Sequence, residues 1–286
     1  MIPFRRHCAA LMAALATALA SSFAAAAVYV HIEVEGVINP VKARYVERAL
    51  RRAEAEHAGF LLLTLNTPGG LVSSMEVITR AFANAPLPVV GYVEPRTAQA
   101  TSAGALILLS TDIAAMAPNT RVGAAHPVDT EGKQLQGPMN DKATNSMVAL
   151  AKSLLARRKR PEAVADAIVR KSESFTASEA KEQGIIEIIA ADRAGLLAAL
   201  DGRRVEMAKR EVTLHTRGAR AVELPLTFTE RTLDVLAEPT IATMLLSIGV
   251  LSVLYELSSP GIGMAGMVGI VSILVGLVGL SLLPVR

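Results

Sequence analysis

A serine and a Gly-Gly turn are the residues of this sequence best suited to chemistry. Segment 66–70 reads Asn-Thr-Pro-Gly-Gly, and segment 101–104 reads Thr-Ser-Ala-Gly. In acyl transfer a hydroxyl attacks a carbonyl, and backbone N–H groups stabilise the negative oxygen that forms. Gly69 and Gly70 can present such N–H groups without side chains in the way. Ser102 can supply the hydroxyl at a helix start, where the helix dipole favours negative charge.

A structural role for Ser102 is the competing interpretation. Ser and Thr are the usual N-cap residues of helices, so local sequence alone favours a cap formed by Thr101 or Ser102. The chemical interpretation therefore requires a fold that brings Ser102 to Gly69 and Gly70.

Other kinds of chemistry find little support in the sequence. The five histidines are scattered, with no His-Glu-x-x-His pattern, and no Walker sequence occurs. We therefore predict neither a metal nor any other cofactor. The single cysteine, Cys8, lies near the N-terminus, so the rest of the chain has no disulfide and no thiol nucleophile.

The composition indicates a membrane-attached protein. Of the 286 residues, 51% are hydrophobic and only 3% are aromatic, and the mean hydropathy is +0.40. Residues 1–27 combine Arg5 and Arg6, an Ala/Leu run and Ala-x-Ala patterns, which predicts a secretory signal peptide, with an uncleaved anchor as the alternative. Without these two arginines the net charge falls from +3 to +1, so we expect no nucleic-acid binding.

Two uncharged stretches near the C-terminus predict a transmembrane hairpin. No charged residue occurs between Glu238 and Glu256 or between Glu256 and Arg286, and each stretch can supply a helix of about 20 residues. The turn signal at 258–261 separates helices predicted at 240–257 and 263–283. A pair of buried core helices is the alternative. If the signal exports residues 28–238, the protein is a multi-pass inner-membrane protein whose larger domain lies on the exported side.

The exported middle of the chain alternates strands and helices. Apolar runs and alternating patterns predict strands at 28–35, 60–65, 88–93, 113–116, 121–125 and 185–190. Helical spacing predicts helices at 40–57, 71–85, 102–109, 140–157 and 176–183. Such repeats indicate an α/β domain with a largely parallel sheet, whose sites lie beyond the carboxyl ends of the strands. That arrangement would bring Gly69, Gly70 and Ser102 together.

Two further segments stand out in the same domain. The polar, Gly-rich stretch 126–140 predicts a long loop or lid. The basic run 157–160 predicts a solvent-exposed helix end, with contact to an anionic membrane surface as the alternative.

An ordered set of motifs gives the chain a family resemblance. Segments 65–70, 100–104, 116–120 and 123–127, together with 256–261, resemble the membrane-bound serine proteases of the NfeD family, in the ClpP and signal-peptide-peptidase-A superfamily. The resemblance runs from about residue 28 to the C-terminus. Long forms of the family continue into further membrane helices and a soluble β-barrel domain, whereas this sequence ends at Arg286.

The resemblance implies a Ser-Lys dyad without a cofactor. Ser102 would be the nucleophile, Lys142 the general base, and the N–H groups of Gly69, Gly70 and Ala103 the oxyanion donors. A lysine acts as a base near neutral pH only if desolvation lowers its pKa by roughly 3 units from about 10.4, at a cost of about 4 kcal/mol. We expect Met139, Met147 and Val148 to bury the amine, although the adjacent Asp141 would oppose the shift if it faced it.

Other bases remain open. His126 is the main alternative base for Ser102, or else a substrate-binding or structural residue, but the register of ClpP-like proteins would place their histidine at Ala125. A slip of one residue on a strand reverses the face to which a side chain points. Lys152, in the following helix, is the reserve candidate.

The resemblance also implies the organisation and the partners. We expect a signal peptide at 1–27, a ClpP/crotonase-like protease domain at 28–225, a linker helix at 226–239 and the hairpin at 240–286. Substrates would be apolar segments of membrane-associated proteins, with stomatin- or prohibitin-like proteins as clients or partners, membrane lipid around the hairpin, and a homodimer or larger homo-oligomer.

Two rival functions come from other classes. A non-catalytic scaffold of a membrane complex becomes preferable if Lys142 is exposed and far from Ser102. A crotonase-like acyl-CoA enzyme shares the fold and an oxyanion hole, but export to a compartment without CoA and the membrane hairpin argue against it.

Overall fold

The structure is a computed structural model that describes residues 27–128, 136–207, 210–258 and 263–281. Three predicted features lie wholly or partly outside the described residues: the signal segment, the middle of the loop at 126–140, and most of the hairpin turn.

A parallel sheet forms the centre of the domain. The strands of the described residues are β1 (Val28–Glu35), β2 (Phe60–Asn66), β3 (Val89–Val93), β4 (Gln99–Thr101), β5 (Ile113–Met116), β6 (Arg121–Gly123), β7 (Ser174–Thr176), β8 (Ile188–Ile189), β9 (Arg204–Glu206), β10 (Glu211–Thr213) and β11 (Arg220–Glu223). Six of them pair in parallel in the order β11-β1-β2-β3-β5-β8. β2 and β3 are buried along almost their whole length, as expected of strands covered on both faces.

A second sheet has three strands, and one of them, β4, ends directly before Ser102. β4 pairs in parallel with β6, and β6 pairs antiparallel with β7. An isolated bridge joins Thr67, just after β2, to Ala100 in β4. The chain that leaves β2 therefore runs beside β4, the strand that ends directly before Ser102. A separate hairpin consists of β9 and β10.

Helices complete the α/β architecture that the sequence predicts. The helices of the described residues are α1 (Pro40–Ala55), α2 (Val72–Ala83), α3 (Ala103–Ser110), α4 (Gly137–Arg157), α5 (Ala163–Val169), α6 (Ala177–Glu182), α7 (Arg193–Leu200), α8 (Phe228–Leu236), α9 (Pro239–Ser258) and α10 (Met264–Ser281). Every residue of α3 is buried. The helix that begins directly after Ser102 is therefore held on all sides by the core.

The basic run 157–160 differs from its prediction. The side chain of Arg160 is 1% exposed and pairs with Glu187 at 2.8 Å, and Arg158 pairs with the buried Asp112. Burial raises the pKa of Asp112, against the opposing charge of Arg158. The prediction of a solvent-exposed run is therefore wrong for these two arginines, because they neutralise carboxylates at the sheet edge.

Helix α8 ties the α/β domain to the apolar helices. Asp234 of α8 forms a salt bridge with Lys42 Nζ at 2.9 Å and accepts a hydrogen bond from Asn39 Nδ2 at 2.8 Å. Asn39 and Lys42 are both buried. Glu230 pairs with Arg48 at 2.6 Å. Because only two residues separate α8 from α9, these contacts hold the domain against the start of the hairpin.

Helices α9 and α10 pack closely through glycines. A Cβ added at Gly249 would lie 2.6 Å from Ile273 Cγ1, and one at Gly269 would lie 2.7 Å from the Gly249 carbonyl oxygen. The two helices have 20 and 18 residues, long and apolar enough to cross a membrane, and only 11% and 17% of their apolar windows are buried. The alternative of two buried core helices is therefore wrong, because the large aliphatic side chains point outward.

Candidate active site

Ser102 has a strained backbone at the start of α3. Its φ of 54° and ψ of −123° lie outside the regions that side-chain-bearing residues normally adopt, and its side chain makes no capping hydrogen bond. Its N–H donates to the carbonyls of Gly123 and Ala124, both at 3.1 Å. Such strain costs about 1–3 kcal/mol and is concentrated at active sites and ligand-binding sites. The cap interpretation therefore has no support in the geometry, whereas a functional one does.

Gly69 lies directly against Ser102, as predicted. Its φ is 120°, and a Cβ added there would lie 2.5 Å from Ser102 Cβ and 2.9 Å from Ser102 Oγ. No side chain fits at this position without displacing the serine. The loop after β2 and the start of α3 therefore meet at the hydroxyl.

The three predicted oxyanion donors are not equivalent. The Gly69 N–H already donates to Thr67 Oγ1 at 3.0 Å. Within the part of the chain that the structure describes, the N–H groups of Gly70 and Ala103 have no hydrogen-bond acceptor. The N–H groups of Gly70 and Ala103 are therefore unpaired among the described residues, whereas the N–H of Gly69 is engaged.

Lys142 is exposed, which differs from the buried amine that we expected. It lies in the second turn of α4, next to the exposed Asp141. Val148 is buried, but Met139 is 64% exposed and does not cover this turn. The prediction of burial under Met139 is therefore wrong for the single chain. Residues 129–135, which precede α4, lie outside the described part.

His126 has one ring nitrogen engaged. Its Nδ1 donates to the Val169 carbonyl at 3.0 Å, which leaves Nε2 as the acceptor nitrogen of the neutral ring. Ala125, the position expected from the ClpP-like register, is 4% exposed. Among the described contacts, no hydrogen bond joins the Ser102 hydroxyl to His126 or to Lys142.

Lys152, the reserve candidate, is held elsewhere. Its Nζ pairs with Asp166 at 2.9 Å, and its side chain is 42% exposed. Hydrogen bonds from Lys152 and Arg170 lower the pKa of Asp166, which keeps that carboxylate charged beside the lysine. An exposed, paired amine is a poor general base, so Lys152 has little claim to this role.

The strain at Ser102 makes a prediction about stability. Replacing Ser102 with glycine should raise the free energy of unfolding by about 1 kcal/mol, because glycine relieves about 1–3 kcal/mol of strain and loses about 0.5–1 kcal/mol to chain entropy. Urea unfolding of the full chains in detergent, monitored by tyrosine fluorescence, gives the midpoints that test this prediction. Ser102→Ala is the matched control because it keeps the strain. A Ser102→Gly chain less stable than Ser102→Ala would contradict the prediction.

The α/β fold and the apolar hairpin define a membrane protein with a ClpP-like domain. Two family descriptions match the sequence: "NfeD1b, N-terminal domain" over residues 27–211 and "NfeD integral membrane domain" over residues 240–286. The chain belongs to the NfeD family, which confirms the resemblance found in its motifs.

Two curated relatives share about a third of their aligned residues with this chain. It is 30% identical over 248 residues to the membrane-bound protease PH1510 of Pyrococcus horikoshii, covering 85% of this chain and 56% of the relative. It is 31% identical over 241 residues to the membrane protein NfeD1b of Bacillus subtilis, covering 83% and 52%. The chain spans about half the length of these relatives.

Solved structures of a relative show the same fold. A lysine-to-alanine variant of the 1510-N membrane-bound stomatin-specific protease, in complex with a substrate peptide, superposes with a TM-score of 0.69 at 29% identity and covers 73% of this chain and 97% of that one. A serine-to-alanine variant gives a TM-score of 0.67 at 30% identity and covers 71% and 100%.

Proposed function

We propose that this chain is a membrane-bound serine endopeptidase with Ser102 as its nucleophile. The observation that carries the proposal is the strained backbone of Ser102, held at the start of a buried helix with its hydroxyl against Gly69. The comparisons add support, because PH1510 is named a protease and the solved variants of 1510-N replace a serine and a lysine.

The mechanism follows from these positions. Ser102 Oγ attacks the scissile carbonyl while a base accepts its proton. The N–H groups of Gly70 and Ala103 stabilise the oxyanion, and the dipole of α3 adds to this because the charge forms at its N-terminus. The base then protonates the leaving amine, and water hydrolyses the acyl-enzyme. No step requires a cofactor.

Lys142 is the proposed base, and because it is exposed in the single chain, its amine must be desolvated before it can act. A solvated lysine is protonated at neutral pH and cannot accept the serine proton. We propose that a bound substrate, or a second copy of the chain in a homodimer or larger oligomer, covers the N-terminal turns of α4 and desolvates the amine. His126 is the alternative, since its Nδ1 contacts the Val169 carbonyl and its Nε2 has no partner among the described residues. If Lys142 is the base, we propose a substrate-binding role for His126.

Peptide cleavage by the full chain in detergent distinguishes the two bases. Lys142→Ala should lower kcat/KM by about 10²–10⁴-fold, the usual effect of losing a general base, while His126→Ala changes it only a few-fold. Lys152→Ala is the matched lysine control and should leave cleavage unchanged. A large loss in His126→Ala with normal cleavage by Lys142→Ala would move the base to His126.

The proposed substrates are apolar segments of membrane-associated proteins. The hairpin keeps the domain at the membrane through α8, and a relative of this chain is named a stomatin-specific protease. We therefore propose stomatin- or prohibitin-like proteins as clients or partners, with the protease domain on the exported side of the inner membrane.

A non-catalytic scaffold is the second candidate, because the exposure of Lys142 favours it. Under this alternative, the chain would bind its partners without cleaving them. Wild-type and Ser102→Ala chains would then behave identically when incubated with the partner, whereas a protease cleaves it only in the wild-type form.

A further inference from the structure

Thr67 is a buried residue of the site that the dyad does not use. It follows β2 directly and is 0% exposed. Its hydroxyl accepts a hydrogen bond from the Gly69 N–H at 3.0 Å and donates one to the Gly69 carbonyl at 3.1 Å. One side chain therefore satisfies both polar backbone groups of the glycine that lies against Ser102.

The Gly69 carbonyl determines where the Gly70 N–H points. Besides the Thr67 hydroxyl, the Ile38 N–H donates to this carbonyl at 2.7 Å. In a planar trans peptide the C=O and the following N–H point in opposite directions. Fixing the carbonyl therefore directs the Gly70 N–H away from Ile38, with no acceptor among the described residues.

Thr67 also aligns the glycine loop with the nucleophile. Its N–H donates to the Gln99 carbonyl at 2.7 Å, and its carbonyl accepts from the Thr101 N–H, one residue before Ser102, at 3.1 Å. Its methyl group occupies the space above Gly104, where an added Cβ would lie 2.4 Å from Thr67 Cγ2. The glycine loop and the start of α3 are thus positioned through the same residue.

We propose that Thr67 is a positioning residue of the oxyanion hole, whose hydroxyl orients the Gly69–Gly70 peptide so that the Gly70 N–H faces the reacting carbonyl oxygen. This assignment rests on the proposed function. It concerns transition-state stabilisation, so loss of the hydroxyl lowers kcat and leaves KM nearly unchanged.

Two pairs of chains that differ in the Thr67 hydroxyl test the proposal in the peptide cleavage assay. Wild type against Thr67→Val changes the hydroxyl and keeps the branched shape, and Thr67→Ser against Thr67→Ala differs in one oxygen atom. In each pair the chain without the hydroxyl should have a kcat about 10–10²-fold lower, with KM within about twofold. Loss of one oxyanion donor lowers kcat by about 10²–10³-fold, and a misdirected donor should cause part of that loss. The second pair keeps the test decisive if Thr67→Val does not fold.

Thr111→Val is the matched control for the loss of a buried hydroxyl. Thr111 is also 0% exposed, and its Oγ1 donates to the Leu108 carbonyl at the opposite end of α3. Its kcat should equal that of wild type.

The possible failures are distinguishable. Normal cleavage by Ser102→Ala would overturn the proposed function and the assignment of Thr67 with it. Loss of cleavage in Ser102→Ala, combined with equal kcat within each pair or with a loss confined to KM, would overturn the assignment of Thr67 alone.

Discussion

Ser102→Ala is expected to lower kcat/KM for peptide cleavage by at least about 10³-fold, since it removes the proposed nucleophile. Substrate binding should persist, because the proposed oxyanion donors, the N–H groups of Gly70 and Ala103, belong to the backbone and the substitution leaves them in place. The loss should therefore appear in kcat, measured with the full chain in detergent. Stability should change little, because alanine adopts the same strained φ as serine.

Thr101→Ala is the control for this substitution. Thr101 carries the neighbouring hydroxyl, which makes only a long contact of 3.5 Å to the Thr67 carbonyl. Its removal should leave cleavage within a few-fold of wild type. If Ser102→Ala cleaves as fast as Thr101→Ala, Ser102 is not the nucleophile.

Gly69→Ala is expected to lower kcat/KM by about 10²-fold or more. The added methyl carbon would lie 2.5 Å from Ser102 Cβ, which is shorter than any normal non-bonded contact. The φ of 120° disfavours alanine as well. Either Ser102 or the glycine loop must move, and a misplacement of about 1 Å in a catalytic group costs about 10²-fold in rate. Cleavage kinetics and urea midpoints of the same chains separate the effect on activity from that on stability.

Gly218→Ala controls for the backbone strain alone. Gly218 has a φ of 72° with nothing within 4 Å of an added Cβ. Both substitutions should therefore lower stability. Only Gly69→Ala should lower kcat/KM by more than the fraction of unfolded protein in the sample explains. Equal activity of the two chains would show that the contact between Gly69 and Ser102 has no catalytic consequence.

The main fold could be predicted where hydrophobic patterns are long. β1, β2 and α1 begin at the residues that their patterns indicate, because each buries a continuous face. The approach of Gly69 to Ser102 followed from the rule that the carboxyl ends of parallel strands share one edge. The family resemblance came from ordered motifs rather than from these patterns.

Other features depend on contacts between distant residues and could not be predicted. β4 has three residues, too few for a periodic signal, and it forms because Thr67 and β6 lie on either side of it. The burial of Arg160 depends on Glu187, 27 residues away. The positive φ of Ser102 has no local sequence signature, and its N–H is bonded to the distant carbonyls of Gly123 and Ala124.

The hydrogen bond from the Gly69 N–H to Thr67 Oγ1 could not be predicted either. The motif contains Thr67, but nothing in the local sequence shows that its hydroxyl takes the Gly69 N–H. The exposure of Lys142 could not be predicted for the same reason: whether a side chain is buried depends on contacts with residues of other segments, which the local sequence does not show.

Covalent labelling tests the central claim most directly. A peptidyl phosphonate ester with an apolar sequence reacts with an activated serine, and mass spectrometry of tryptic fragments locates the adduct. We expect a single adduct on Ser102, in the fragment between Arg96 and Arg121, and none in the Ser102→Ala chain. A cleaving enzyme whose adduct forms on a different residue, or equally in the Ser102→Ala chain, would contradict the account.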